Sequence, residues 1–245
     1  MAALFLIVLV LASALPGLAW DVAPHRAITK AALDAVEPSV ARRLAPHTKD
    51  LLETYVLLPD RCRDFTEQPD AVELKPFCLR PDGNTVHSAT FDPDEDLGSL
   101  VYLYERILTA ESTKKEKELA MYVGVLAHFI EDSLSPPHSI TGEELEEMAP
   151  EIKWIHQKLE RAVPAFAIER RKPQVGAANM FELLESFVVR LHEAAARNRG
   201  ALPGMIAALK AGDEKALDPV RLRAAKDTAE LLADTLNAML GGQPN

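Results

Sequence analysis

The sequence predicts an all-α fold: a single-domain helical bundle of residues 20–245, preceded by a signal peptide at residues 1–19. Apolar residues recur three and four positions apart along most of the chain, as in amphipathic helices, and the alternation typical of strands persists nowhere. Proline-rich turns separate the helical segments. The chain has 245 residues, 48% of them hydrophobic and 26% charged, so it can bury one large core, as soluble globular proteins of ordinary composition do.

Helices in the first half of the bundle are predicted from apolar spacing and from the prolines that flank them. Pro59 is expected to end the second helix, because proline lacks the N–H that a helix interior requires. After it, residues 61–91 contain three prolines and an Asp-Gly pair, which predict a long irregular loop. The helices are expected at residues 24–36, 46–58 and 94–108, and in a fourth segment that has a charged start at 114–118 and continues through His128.

In the second half, a helix over residues 143–163 is expected to be interrupted near Pro150. Two strongly amphipathic helices follow at 180–197 and 218–240, with a short apolar helix at 205–209 between them. This C-terminal third is expected to contribute only helices.

The first residues of the chain have the pattern of a secretory signal. Residues 3–14 are almost wholly apolar but too few to span a bilayer, and Gly17 and Ala19 occupy the −3 and −1 positions of a cleavage site. Cleavage would make Trp20 the amino terminus of an exported, secreted or periplasmic protein. An uncleaved membrane anchor is the alternative.

The two cysteines, Cys62 and Cys78, agree with export. In an oxidising compartment they could close a 17-residue loop, which the chain-entropy model values at roughly 3 kcal/mol. Two unpaired buried thiols are the alternative. A cysteine zinc site is not expected, because the spacing does not match one.

Two cassettes combine imidazole with carboxylate. His128 and Asp132 are four residues apart, as are His156 and Glu160, so each pair lies on one face of a helix. His138 follows a Pro-Pro pair, which ends the first of these helices and turns the chain back towards the site. Histidine nitrogens and carboxylates converging in this way suit a cation such as zinc.

Further candidate ligands precede the cassettes, namely His25, Asp60 and His87, with Trp20 ahead of them. The complete set resembles the bacterial zinc-dependent phospholipase C family and its sister group, the secreted single-strand-specific zinc nucleases. The family pattern is an N-terminal Trp, an early His, an Asp, a His, then H-x3-D-x5-H and H-x3-[DE]. Leu-Pro-Asp60 and the Asp-Pro-Asp after His87 are closer to the phospholipase branch. The matching residues, over positions 20–160, are Trp20, His25, Asp60, His87, His128, Asp132, His138, His156 and Glu160.

The resemblance implies three zinc ions. The first would be held by Asp60, His87, His128 and Asp132. The second would be held by His138, His156 and Glu160. The third would be chelated by the amino group and carbonyl of Trp20 and by His25, with Asp132 bridging it to the first. Asp60 is the implied general base, and Asp64 is the alternative to Asp60. Glu131 is expected to face elsewhere on its helix.

The resemblance thus implies a secreted zinc-dependent phosphodiesterase that hydrolyses phospholipids in transient contact with a membrane surface. Ala23 stands where choline-preferring relatives carry an acid, which predicts weak choline selectivity. The alternatives are a 3′-nuclease for single-stranded nucleic acid, which needs aromatic stacking surfaces, and an inactive helical zinc-binding protein. A formal net charge of −10 argues against a stable nucleic-acid partner. The sequence does not fix the oligomeric state.

Overall fold

The structure, a computed structural model, describes residues 22–62, 71–86, 93–170 and 180–241. The expected signal peptide, Trp20, Asp64 and His87 lie outside these ranges. Within them the chain is helical, with no strand, so the all-α prediction is confirmed. The helices are α1 (Val22–Ala35), α2 (Pro38–Leu44), α3 (Thr48–Glu53), α4 (Leu58–Arg61), α5 (Ala71–Cys78), α6 (Pro93–Ser112), α7 (Glu116–Ser133), α8 (Gly142–Met148), α9 (Ile155–Glu160), α10 (Met180–Lys210) and α11 (Asp218–Leu240).

Helix α7 is the central element. It packs against α1, α3, α6 and α11 and against a 3-10 turn at Tyr55–Leu57. From Leu119 to Ser133 nearly every side chain is buried, on all faces of the helix. A helix that is surrounded in this way has no solvent-facing side, and this determines where its polar residues must find partners.

Two hydrophobic clusters make up the interior. The main cluster joins α1, α6, α7 and α11. The second cluster lies under α8 and α9 and is built by α8, α9, α10 and the 3-10 turn at Glu214–Leu217; its buried members are Ile140, Leu145, Ala149, Ile155, Leu159, Leu202, Met205, Ile206 and Leu217.

The segment predicted as one helix at 46–58 is broken into shorter pieces: α3, the turn at Tyr55–Leu57 and α4. Pro59 does not end a helix. It lies in the first turn of α4, where the missing N–H has no helical partner to lose. The break places Asp60 on a short helix of its own beside α7.

Helices predicted separately at 180–197 and 205–209 are one continuous helix, α10, with Pro203 inside it. Leu202 and Met205, on either side of that proline, are buried in the second cluster. Proline costs a helix interior about 3 kcal/mol. Burial of large apolar side chains, at roughly 1.5–3 kcal/mol each, offsets this penalty.

The predicted loop at 61–91 contains helix α5, with Pro76 inside it. Cys62, just after α4, forms a disulfide with Cys78 at the end of α5, so the predicted bridge is confirmed. The bridge ties the chain segment after Asp60 to α5. In the part of the chain that the structure describes, no helix is both long and apolar enough to cross a membrane.

Gly124 permits the closest approach to α7. A Cβ at this position would lie 2.6 Å from the carbonyl carbon of Tyr55 and 2.6 Å from its Cβ. Backbone atoms cannot give way at that distance, so only glycine lets α7 and the Tyr55–Leu57 turn meet. Gly124 is one helical turn before His128, and the contact therefore sets the distance between His128 and the turn.

We expect Gly124→Ala to destabilise the protein by about 1–3 kcal/mol, because the added methyl group overpacks this contact. Gly200→Ala is the matched control, since it changes a glycine in the exposed middle of α10 with nothing within 4 Å of the new Cβ. There alanine should stabilise by about 1 kcal/mol. Urea unfolding of both variants measures the difference, and equal stabilities would contradict the role of Gly124.

Candidate metal centre

The first group of converging ligand atoms comes from α1, α4 and α7. One atom each of His25, Asp60 and His128 lie within 4.8 Å of one another. Asp132 completes the group: Oδ2 is 3.1 Å from Nε2 of His128 and Oδ1 is 3.7 Å from Nε2 of His25. The two imidazoles stack with ring centroids 4.4 Å apart. This group can hold a metal ion.

The second group comes from the 3-10 turn at Pro136–Ser139 and from α9. His138, His156 and Glu160 each offer a ligand atom within 4.8 Å of the others. Glu160 lies between the two histidines, with Oε2 3.1 Å from Nδ1 of His156 and Oε1 3.7 Å from Nε2 of His138. The hydroxyl of Ser135 donates to Oε1. This group too can hold a metal ion.

Hydrogen bonds behind the first group orient its histidines as metal ligands require. Nδ1 of His128 donates to the carbonyl oxygen of Val56, 2.8 Å away. Nδ1 of His25 donates to Oε2 of Glu131, 2.5 Å away. Each bond fixes the ring and turns Nε2 towards the group, as is usual for metal-bound histidine. The donor set and its surroundings therefore fit a metal.

Glu131 does not face away, and that expectation was wrong. Its side chain is fully buried; Oε1 accepts from the hydroxyl of Thr29 at 2.6 Å while Oε2 accepts from His25. Thr29 and His25 are four residues apart on α1, so one carboxylate meets both. Apolar residues on every face of α7 were the available signal, because an acid on an enclosed helix must have an interior partner.

The pKa values of the two stacked histidines are displaced in opposite directions. Burial and the neighbouring His128 lower the pKa of His25 to about 4. Burial also acts to lower the pKa of His128, but the carboxylates of Asp132 and Asp60 raise it to about 9. The charge of Glu160, in the second group, also acts to raise the pKa of His25.

The C-terminal helices contribute polar support to the second group. Arg221 on α11 is buried and donates from Nε to the carbonyl of Leu159, 2.8 Å away, and from its guanidinium to the carbonyl of Lys158. These carbonyls belong to the last turn of α9, which carries Glu160. Asn198 on α10 donates to the carbonyl of Leu134, just before the turn with His138.

Two of the candidate ligands have side chains that are partly exposed to solvent. Asp60 is 14% exposed in the first group and His156 is 27% exposed in the second. The remaining members are at most 4% exposed: His25, His128, Asp132, His138 and Glu160.

Seven of the nine predicted ligands lie in these two groups; Trp20 and His87 are outside the described residues. The identity of the metal and the number of ions stay predictions. No protein-family model matches the chain, and neither a curated protein nor a solved structure matches it significantly. The resemblance to zinc-dependent phospholipases C thus stays a prediction as well.

Loss of the Glu131 carboxylate should weaken metal binding at the first group by about 10–100-fold, because His25 is no longer oriented. We expect this for Glu131→Ala, with partial recovery in Glu131→Gln, whose amide oxygen still accepts from Nδ1. Glu116→Ala, at the exposed start of α7, is the control. Calorimetric metal titration measures the affinity, and ¹⁵N NMR of the histidines reports the tautomer. Unchanged affinity in Glu131→Ala would refute the role.

Metal binding to the first group should release about one proton at pH 7. The raised pKa of His128 keeps it protonated in the metal-free protein up to about pH 9, and a metal must displace that proton. Affinity should therefore rise about tenfold per pH unit towards pH 9 and then level off. Glu160→Gln weakens the second group, so that the first group can be titrated by itself. Calorimetry of this variant, in two buffers with different ionisation enthalpies, gives the number of protons released when the metal binds. If metal binding releases no proton at pH 7, the prediction is wrong.

Proposed function

We propose that the protein is an exported zinc-dependent phosphodiesterase of the phospholipase C type, which releases the phosphorylated head group of a phospholipid from diacylglycerol. The observation that carries the proposal is the presence of two groups of potential metal ligands, one partly exposed at Asp60 and the other at His156. The Cys62–Cys78 disulfide is compatible with an extracellular location.

Zinc suits the donor set, which combines imidazole nitrogens with carboxylate oxygens in both groups. In such a site, paired metal ions supply Lewis acidity to the phosphoryl group and stabilise the attacking and leaving oxygens. The α-amine of Trp20 would add a ligand only after signal cleavage, since a peptide nitrogen is a poor one. Trp20 and His87 enter the proposal through the resemblance alone.

Asp60 is the residue we propose as general base. Its carboxylate is the part of the first group that solvent reaches, and Oδ1 lies 3.7 Å from Nε2 of His128. An attacking water on that side can give its proton to Oδ of Asp60. Asp132 is buried, with one carboxylate oxygen near Nε2 of His25 and the other near Nε2 of His128, and is suited to holding metal instead.

Charge favours a phospholipid over a nucleic acid as substrate. The net charge of −10 repels long polyanions, while metal ions would attract a single phosphate locally. Ala23 is exposed in the first turn of α1, two residues before His25, and offers no group that recognises a choline cation. We therefore propose weak selectivity for choline.

A single-strand-specific nuclease is the second candidate, and one observation favours it. Trp154 is 54% exposed and lies two residues before His156. Such a nuclease needs aromatic surfaces on which bases stack, and Trp154 offers one beside the second group.

The test is an assay of the mature protein, beginning at Trp20 and loaded with zinc, on mixed phospholipids and on single-stranded DNA. We expect lipid hydrolysis with little preference for choline, slower DNA cleavage, and loss of both on chelation. Asp60→Asn should lower kcat by about 10²–10⁴-fold, while the exposed control Asp50→Asn should not. Nucleotide release without lipid turnover would favour the nuclease. If neither lipid nor DNA is hydrolysed, the result would favour the inactive alternative.

A further inference from the structure

A cleft of about 500 Å³ adjoins the second group of metal ligands. His156 is the member of that group that lines the cleft, so the cleft borders the second group at this imidazole. Much of the remaining lining is apolar and comes from α8, α9 and the turn between them, including Leu145, Ala149, Ile152 and Trp154. Leu145 and Ala149 belong to the second hydrophobic cluster, which gives the cleft a packed floor. Its volume lies within the range of small-molecule binding sites.

Trp154 holds an unusual position at this cleft. Its backbone is left-handed, with φ 59° and ψ 39°, a conformation that bulky residues rarely adopt. The large side chain is nonetheless 54% exposed, and it lines the cleft instead of filling the core. Backbone strain combined with an exposed aromatic ring is characteristic of positions that contact ligands.

We propose that this cleft binds the glyceride portion of the phospholipid substrate and that Trp154 inserts at the lipid–water interface. The inference rests on the proposed function and specifies where the apolar part of the substrate lies. With the phosphate at the metal centre, the glycerol backbone and the first part of the acyl chains extend past His156 into the cleft.

The composition of the cleft favours lipid over a nucleobase. Only two charged side chains, Glu146 and Lys153, are found among its lining residues besides His156, and their charges are opposite. A polyanion is therefore not attracted along it, whereas an acyl chain gains from its apolar lining. Tryptophan is enriched at membrane interfaces because its ring is apolar and its indole N–H is polar.

Trp154→Gly and Trp154→Phe test the proposal. Glycine adopts the left-handed conformation without strain, so it removes the ring while keeping the backbone; phenylalanine keeps an aromatic ring. Val189→Ala, which removes apolar atoms from a residue that is 51% exposed on α10, is the control. Each zinc-loaded variant is assayed on vesicles of phosphatidylethanolamine and phosphatidylglycerol in equal parts, and on the soluble diester bis(p-nitrophenyl) phosphate.

We expect Trp154→Gly to raise the KM for vesicles by about tenfold or more, with little change in kcat and none in turnover of the soluble diester. Trp154→Phe should retain most vesicle affinity and Val189→Ala all of it. The chain has only two tryptophans, so the tryptophan fluorescence that the wild type has and Trp154→Phe lacks comes from Trp154. Vesicles with brominated acyl chains should quench this part of the fluorescence.

Unchanged vesicle kinetics in Trp154→Gly would overturn the proposal. An equal loss of activity towards the soluble diester would also overturn it, because Trp154 would then only maintain the structure of α9. Weaker binding of a single-stranded oligonucleotide, with vesicle binding intact, would assign the ring to a nucleobase. If neither substrate is hydrolysed, the proposed function fails, while vesicle binding and quenching still decide the role of Trp154.

Discussion

The enclosure of ionisable side chains on α7 is the constraint on which the rest of the site depends. His128, Glu131 and Asp132 lie on a helix that is covered on all sides, so none of them has water to stabilise its charge. Removing a partner from a buried charge is strongly destabilising, at about 3–5 kcal/mol. The surrounding segments are arranged to prevent this: α1 supplies His25 and Thr29, and the Tyr55–Leu57 turn supplies the carbonyl of Val56. Gly124 then lets that turn come close enough to α7.

The second group is supported differently, from the C-terminal side of the chain. Arg221, near the start of α11, holds the last carbonyls of α9, and Asn237, near its end, accepts a hydrogen bond from the backbone N–H of Glu37. Helix α11 also packs along α1, which carries His25. One long helix thus contacts both α9, which carries Glu160, and α1, which carries His25. Residues that are not candidate ligands therefore help to position the candidate ligands.

Local sequence patterns predicted much of this arrangement. The spacing of four residues places His128 beside Asp132 and His156 beside Glu160 because a helix brings such positions together. Tertiary contacts decided what the patterns missed. Pro203 stays inside α10 because its apolar neighbours are buried, and Glu131 turns inward because α7 has no exposed face. Neither the partner of Glu131 nor that of Arg221 can be read from spacing, since both are distant in sequence.

Metal analysis of the mature protein, beginning at Trp20, tests the central claim most directly. The account predicts about three zinc ions per chain, held by the two described groups together with Trp20 and His87. Asp132→Asn should lower the occupancy of two ions, because its two oxygens face His25 and His128 separately, while Glu160→Gln should lower the occupancy of one. One equivalent of zinc or less in a wild-type protein with an intact Trp20 terminus would contradict the account.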